Sequence, residues 1–303
     1  MFILGCMCFQ RYLNHERERE SMVVEAFSNP FRAEARPVPL FFLGFAYATI
    51  ACFLSLWIFA DYASLVMVFL TVLAAVPLFY NTMQVEEAKD IELDSERSIL
   101  KEHARALTFF MFLFLGMVVA YTTWYVVLPA ATSSSLFSVQ AQTIAGLNQQ
   151  VTGHIVRASL FSRIFLNNVK VLVFCILFSF IYGMGSLFIL TWNASVIGVA
   201  MGNFIRTHMA EYASTLGFAR IGSYLYVVSL SFLRYFIHGI PEILAYFVAG
   251  LAGGIISVAV MKHDFGTKNF EKIILDASDL MLLAIGILFI AAIIEVYVTP
   301  ALF

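Results

Sequence analysis

The sequence predicts an all-α, polytopic transmembrane helical bundle with about seven spans and one re-entrant half-helix. Three observations lead to this fold class. Hydrophobic residues make up 61% of the 303 residues and charged residues only 13%, whereas soluble domains are about half apolar and about a quarter charged. Mean hydropathy is +0.87. Finally, apolar runs of about 20 residues, the length that crosses a bilayer, recur along the chain.

The apolar runs place the spans in order. The first pair, 39–60 and 62–82, is predicted to form a two-helix transmembrane hairpin that turns at Asp61. The later spans are predicted at 106–129, at 169–190, twice within the long run 221–261, and at 279–299. Residues 194–205 follow a predicted turn at 191–193 and are too short to cross, so we predict that they enter the membrane and return to the same side.

Lysine and arginine indicate the orientation, because these residues are enriched on the cytoplasmic side of membrane proteins. The N-terminal arm 1–38 holds five of them and the charged segment 83–105 holds four, whereas 130–168 holds only Arg157 and Arg163. We therefore predict a cell-membrane protein with a cytoplasmic N-terminus and an external C-terminus. Segment 83–105 is predicted to be a cytoplasmic helix with mostly solvated charges, since its acids precede its bases as the helix dipole favours.

The segment between the third and fourth predicted spans, 130–168, is predicted to be extracytoplasmic and amphipathic. It has no charged residue or histidine before His154, and the residues Val139, Thr143, Leu147 and Val151 recur at helical spacing. Such a helix packs on the bundle or the outer leaflet, or it binds a membrane or extracytoplasmic protein partner. Packing is the preferred interpretation, and the partner remains the alternative.

Ionisable residues inside the run 221–261 form the candidate functional site. Arg234, His238 and Glu242 are four residues apart, so an unbroken helix would place them on one face. A charged residue at the centre of a span is expensive, which makes it a functional candidate by default. An ion or proton path is therefore one interpretation of these residues.

A structural interpretation of the same residues is preferred at the sequence level. Gly239 suits a helix end and Pro241 suits the first turn of the next helix, so "HGIPE" is predicted to be the tip of a helical hairpin. His238 and Glu242 would then stabilise the helix ends, and Arg234 would pair with Glu242 or with Glu295 of the last span. Two breaks, here and near 191–205, also resemble the discontinuous helices of transporters.

Small residues at four-residue spacing mark places where membrane helices pack closely. Gly198 with Gly202 forms one such pair, and Ala245, Ala249 and Gly253 form a second stripe with Gly250 and Gly254 alongside it. These pairs are interpreted as internal contacts of the bundle, with a homodimer contact as the alternative.

Enzymatic, metal and nucleic-acid functions find no support in the sequence. It contains no HExxH, G-x-S-x-G or paired-aspartate signature, so no catalytic residue is assigned. Cys6 and Cys8 have no matching Cys/His pair, and two candidate ligands at 234–242 are too few for a metal. We predict no metal, no cofactor and no nucleic-acid partner, since the net charge is −2.

Several polar and glycine residues of the C-terminal two thirds recur in a recognisable order. They are Asn167 and Asn168 at a span start, Gly183 and Gly185 at its end, Asn193 and Gly198 in a turn, and His238, Gly239 and Glu242 in the hairpin. This combination resembles the stage II sporulation protein M family over about residues 106–299, with Ile237 where that family often has proline. We therefore treat 106–303 as a family-like transmembrane core.

The resemblance implies an integral membrane protein without known enzymatic activity. Members in spore formers act as a membrane scaffold with cell-wall hydrolases during engulfment, and relatives occur widely in organisms that never sporulate. The expected function is accordingly a non-enzymatic membrane scaffold or membrane-remodelling protein that forms homo-oligomers. A transporter or channel that uses broken helices and Arg234, His238 and Glu242 is the alternative.

Overall fold

The computed structural model describes residues 37–92, 99–151, 157–179, 184–211, 218–261 and 266–302, and these residues form helices and turns without strands. A 3₁₀ turn (Ala60–Tyr62) follows the first helix, and a π-helical turn (Ile294–Val298) follows the ninth. The helices are α1 (Val38–Ile58), α2 (Ala63–Glu92), α3 (Ile99–Val127), α4 (Ala130–Leu136), α5 (Ser138–Val151), α6 (Arg157–Ser179), α7 (Met184–Glu211), α8 (Phe218–Met261), α9 (Lys268–Ile293) and α10 (Thr299–Leu302).

Seven helices of the described chain are long and apolar enough to cross a membrane. They are α1, α2, α3, α6, α7, α8 and α9 with its C-terminal continuation. The predicted all-α, polytopic membrane fold is therefore confirmed. The predicted N-terminal arm 1–38 lies outside the described residues except for its last two positions.

Residues 194–205 do not form a re-entrant half-helix. They lie in the middle of α7, whose 28 residues continue straight through the predicted turn at 191–193. The side chain of Asn193 donates a hydrogen bond to the carbonyl oxygen of Ile189 at 2.8 Å, inside the helix. Weak helix propensity at Trp192 and Asn193 is only a small penalty. In lipid the need to satisfy every backbone group within the segment outweighs that penalty.

The predicted hairpin within 221–261 is also wrong, because α8 is one continuous helix of 44 residues with Pro241 inside it. Proline removes a single backbone hydrogen bond, the one to the carbonyl of Ile237. Membrane helices tolerate such a loss where neighbouring groups compensate. His238 and Glu242 therefore lie in mid-helix, and stabilisation of helix ends no longer explains why they are there.

The fourth span begins twelve residues earlier than predicted. It is formed by α6, Arg157–Ser179, rather than by residues 169–190. Asn167 and Asn168 thus lie near the middle of α6 instead of at its start, with Asn168 buried and Asn167 exposed. The last part of the predicted outer segment, 157–168, belongs to this helix.

Hydrogen bonds fix which helix ends lie together. The guanidinium of Arg206 in α7 donates to the carbonyl oxygens of Val126 (3.3 Å) and Leu128, so α3 and α7 end at the same end of the bundle. We call this the outer end, and the opposite end, where α2 finishes and α3 begins, the inner end. Arg206, which the sequence-based topology placed beside 83–105, is at the outer end instead.

The chain returns to the inner end through α8. Gly250 lies against Ser186 near the start of α7, and Gly254 lies against Met83 of α2. Lys268, in the first turn of α9, is seven residues after the last residue of α8, so it lies at the same end as the described parts of 83–105, as the charge pattern indicated. The half-helix predicted within α7 and the hairpin predicted within α8 are both wrong. Each error moves the following segment to the other side of the membrane, so together they leave the predicted side of Lys268 unchanged.

A single crossing by α8 predicts that its ends face opposite sides of the membrane. Cysteines that replace Arg220 and Lys268, one at a time and in a background without other reactive cysteines, should react with a membrane-impermeant maleimide in vesicles of opposite orientation. The hairpin topology instead requires both positions to react in the same vesicles, and that result would contradict the continuous helix.

Two glycines allow α1 and α3 to cross in backbone contact. A Cβ atom at Gly44 would overlap the carbonyl oxygen of Leu113, and one at Gly116 would overlap the carbonyl oxygen of Phe41. Small residues at such crossings are how membrane helices approach closely. Further along the same pair, Trp124 Nε1 donates to Thr49 Oγ1 at 3.0 Å. The first helix is therefore an integral part of the bundle.

The two short helices after α3 turn back toward the core. Phe137, between α4 and α5, is fully buried, and its ring lies against Tyr121 and Tyr125 of α3 with centroids 6.4 and 5.5 Å apart. Tyr121 is six residues, about 9 Å along the helix, before the end of α3 at Val127. The joint between α4 and α5 thus lies inside the outer end of the bundle.

Gln140 anchors this joint by three hydrogen bonds. Its amide nitrogen donates to the carbonyl oxygen of Ser64 at 3.1 Å and to the hydroxyl of Ser195 at 3.2 Å. The hydroxyl of Ser64 donates to the amide oxygen at 3.2 Å. Gln140 is fully buried, whereas Val139 and Thr143, on which the amphipathic prediction rested, are half-buried. This stretch packs on the bundle, and one buried amide links α5 to α2 and α7.

Candidate functional site in the membrane core

A line of polar side chains follows one face of α8 through the bundle. Arg234, His238, Glu242 and Tyr246 are each four residues apart, which places successive side chains about 6 Å further along the helix and nearly above one another. The sequence identified the first three, and the continuous helix adds Tyr246. The line runs from the outer end toward the middle of α8.

Glu242 meets two groups at the deep end of this line. The hydroxyl of the fully buried Tyr246 donates to Glu242 Oε1 at 2.8 Å. Glu295 lies in the π-helical turn after α9, one turn before Thr299, and Thr299 contacts His238, which is one turn before Glu242 on the antiparallel α8. Two carboxyl groups from different helices are therefore brought together inside the membrane-spanning part of the protein.

One turn nearer the outer end, His238 contacts the same neighbouring segment. Its Nδ1 lies 3.3 Å from the hydroxyl oxygen of Thr299, which also donates to the carbonyl oxygen of Ile294 at 3.2 Å. This polar contact joins α8 to the C-terminal segment one turn beyond the two carboxyl groups.

Both backbones are irregular at this point. Pro241 leaves the carbonyl of Ile237 without its usual partner in α8. Across from it, the π-helical turn Ile294–Val298 widens the helix beside Glu295. Such π-bulges occur frequently at functional sites. Two helix irregularities facing one cluster of ionisable groups distinguish this region from the rest of the described bundle.

Arg234 does not form the predicted pair with Glu242 or Glu295. Its side chain is exposed, and its guanidinium lies over the ring of Phe204 with 5.5 Å between Cζ and the ring centroid. No salt bridge involves Arg234 within the described part of the chain. The carboxyl groups therefore have no basic side chain as an ion-pair partner there.

Gly239 and Pro241 have different roles from those expected at a hairpin tip. A Cβ atom at Gly239 would meet nothing within 4 Å. Gly239 lines a narrow apolar pocket with Phe114 of α3 and Ile197 of α7. Its lack of a side chain leaves space beside the polar line and does not serve a turn.

The glycines singled out for close packing lie at internal contacts wherever the structure describes their surroundings. A Cβ atom at Gly198 would be 2.7 Å from Tyr121 Cβ, and one at Gly202 would be 2.6 Å from Tyr125 Cδ1. Gly250 and Gly254 face α7 and α2, as described above. Gly185 lies in the first turn of α7, and Gly183 lies outside the described residues.

Sequence reasoning missed a second buried ionisable pair, at the inner end. His103 Nδ1 of α3 contacts Glu86 Oε2 of α2, and both side chains are buried at 1% and 0% exposure. The prediction that the charges of 83–105 are mostly solvated is wrong for these two residues. The sequence held no local signal for them, because the partners are 17 residues apart and come from different helices.

Metal chemistry has no candidate centre in the described residues, since no three His, Cys, Asp or Glu side chains lie together in a way that could hold a metal ion. Cys52 and Cys175 are buried and form no disulfide within the described part of the chain. The polar line contains histidine, tyrosine and carboxyl groups, which can exchange protons.

Comparison with known proteins identifies the family. The family model described as Stage II sporulation protein M matches residues 105–300, about two thirds of the chain, and this range contains every residue of the polar line together with Glu295 and Thr299. No curated protein and no solved structure matches the chain. The order of asparagine, glycine and His-Gly residues that suggested the resemblance lies within the matched region, and the chain belongs to the stage II sporulation protein M family.

Proposed function

We propose that this protein is a non-enzymatic scaffold of the cell membrane, with its N-terminus in the cytoplasm, that binds a protein on the extracytoplasmic side and associates with copies of itself. Family membership supports the proposal, because the resemblance implies scaffold or remodelling proteins. The observation that carries it is the length of α8.

The helix α8 is too long for all of its residues to lie inside a bilayer. A helix of 44 residues is about 66 Å long, whereas the hydrocarbon core is about 30 Å thick. Even at a tilt of about 40°, the upper end of the usual range, α8 would extend about 50 Å along the membrane normal. Part of it must therefore lie in the aqueous or headgroup region.

The contacts of α8 indicate which part projects. Ser231 donates to the carbonyl oxygen of Met201 at 3.4 Å, and Met201 is five residues, about 7.5 Å, before Arg206 at the outer end. Phe218 is 13 residues, about 20 Å, beyond Ser231. About the first two turns of α8, residues 218–225, thus extend past the end of α3.

This projecting part carries large apolar side chains on its surface. Ile221 and Leu225 are 57% and 64% exposed, and Tyr226, at the level of Arg206, is 59% exposed. Within the bilayer such exposure is ordinary, but beyond it exposed apolar patches mark sites of protein interaction. This supports the binding of an extracytoplasmic protein at the start of α8.

Site-specific photocrosslinking tests this proposal. A photoreactive amino acid at Leu225 should yield protein adducts in native membranes, whereas the same residue at Leu282 should yield lipid adducts only. The two leucines are matched in exposure, 64% and 67%, but Leu225 is four residues from the outer end of its candidate span whereas Leu282 lies well inside its own. Double mutation of Ile221 and Tyr226 to glutamate should remove the adducts at 225. Lipid adducts alone at both positions would contradict the scaffold proposal.

The same experiment addresses self-association. Arg234 is exposed on the membrane-spanning surface, and Glu242 and Glu295 are only partly buried, so a second copy that covers this surface would shield polar groups from lipid. If the adducts formed at position 225 have twice the mass of the chain, then the projecting part contacts a second copy of this protein rather than a different protein.

The transporter or channel alternative loses part of its basis, because α7 and α8 are continuous helices. The polar line in α8 is the observation that still favours it.

A further inference from the structure

We propose that Glu242 and Glu295 form a proton-binding site in the middle of the bundle that exchanges protons with the outer end through His238. This activity goes beyond a scaffold role, and it does not require one. The argument rests on the arrangement of α8 and the C-terminal segment.

The two carboxyl groups are held together by different helices. Tyr246 donates to Glu242 at 2.8 Å, and the contact between His238 and Thr299 at 3.3 Å sets the register of the two antiparallel segments, so that Glu242 and Glu295, each one turn further toward the inner end, face each other. No salt bridge in the described bundle provides either of them with a basic partner. Negative charge here is unfavourable because the surroundings are apolar, and a bound proton removes that charge.

A proton fits this site better than a metal ion. The described residues contain no group of three or more metal-ligating side chains of the histidine, cysteine and carboxylate type. The ionisable groups around the pair are His238 and Tyr246 on α8, Arg234 further out on the same helix, and Cys175 on α6. Of these, the imidazole both accepts and donates protons most readily near neutral pH.

The polar line gives the site access to one end of the bundle only. Toward the outer end, His238 and Thr299 follow the carboxyl pair, and Arg234 lies beside Phe204 near the end of α7. Toward the inner end, Phe247 stacks on Phe110 with centroids 5.8 Å apart, and Gly250 packs against Ser186. The side toward the inner end is therefore packed, so the proposed site takes up and releases protons without forming an open pore.

The irregular backbones on both sides support a site rather than a simple packing contact. Pro241 leaves the carbonyl of Ile237 without its usual partner in α8, and the hydroxyl of Thr299 donates to the carbonyl oxygen of Ile294 in the π-helical turn at 3.2 Å. Each irregularity thus lies within one turn of one of the two carboxyl groups.

Infrared spectroscopy of the protein in lipid nanodiscs tests the proposal. The wild-type protein should show the C=O stretch of a protonated carboxylic acid in its pH-difference spectrum. Glu242→Gln and Glu295→Gln should each lose part of this band, and Tyr246→Phe should shift it because the hydrogen bond to Glu242 is lost. Glu271→Gln, at an exposed position of α9, is the matched control and should leave the band unchanged.

Access from the outer end has its own readout. In proteoliposomes, a pH jump on the outer-end side should change the band quickly in the wild type and more slowly in His238→Leu, whereas a jump on the other side should not. The proposal is overturned if the wild-type spectrum has no protonated-carboxyl band, or if the band persists unchanged in both glutamine variants. Because the wild-type band is measured directly, a variant that fails to fold does not leave the question open.

Discussion

Replacing Gly116 with valine should prevent stable folding of the bundle. The Cβ atom of any other residue at 116 would overlap the backbone carbonyl of Phe41, so α1 and α3 would have to move apart along their whole contact. Overpacking against side chains usually costs about 1–3 kcal/mol, and overlap with a backbone atom leaves no side chain that can yield. We expect a loss of at least about 3 kcal/mol, seen as aggregation or a much lower melting temperature in detergent.

Gly286→Val provides the matched control for this experiment. Gly286 is also a helical glycine in a spanning segment, but a Cβ atom there would meet nothing within 4 Å, so this variant should melt close to the wild type. Equal melting temperatures for Gly116→Val and the wild type would show that the backbone crossing of α1 and α3 does not stabilise the protein.

Replacing Glu86 with leucine should destabilise the protein nearly as strongly. The change removes the carboxylate that contacts His103, and both side chains are buried. Removing one partner from a buried ionic pair typically costs about 3–5 kcal/mol, because the other polar group remains buried. The expected result is a large decrease in the midpoint of chemical unfolding in micelles.

The double variant, with leucine at both 86 and 103, distinguishes pairing from simple loss of volume. Replacing both members of a buried pair by apolar residues is often neutral, so it should be more stable than either single variant. Additive destabilisation in this double-mutant cycle would mean that the two side chains do not depend on each other.

The fold class could be predicted because hydropathy over about 20 residues is a local property, whereas the count of seven spans agrees only because the crossing missed in α7 offsets the extra crossing assigned to α8. The division of the chain into helices could not, because Asn193, Gly239 and Pro241 were interpreted by rules that hold in water. In water a free helix end can be hydrated, but in lipid every backbone group must find a partner within the protein. The chain therefore continues as a helix through residues that would end one in a soluble protein.

Some residues of the candidate site could be identified from the sequence and others could not. Arg234, His238, Glu242 and Glu295 could be identified from sequence, because an ionisable residue in an apolar run is conspicuous. Tyr246 and Thr299 could not, because tyrosine and threonine are ordinary in spans and their role depends on contact with groups on neighbouring turns and helices. Gln140 and the Glu86–His103 pair depend likewise on partners from other helices, which no local pattern records.

The crossing of α1 and α3 also has a consequence for the order of assembly during synthesis. Chains fold from the N-terminus as they leave the ribosome, so α1 enters the membrane before any residue of the family-matched region 105–300. When α3 follows, the surface around Gly116 meets a helix that is already in place. A chain that began at residue 105 would lack this helix and would expose the surface around Gly116 to lipid. We therefore expect α1 to guide the packing of α3, and with it the assembly of the part of the protein that defines its family.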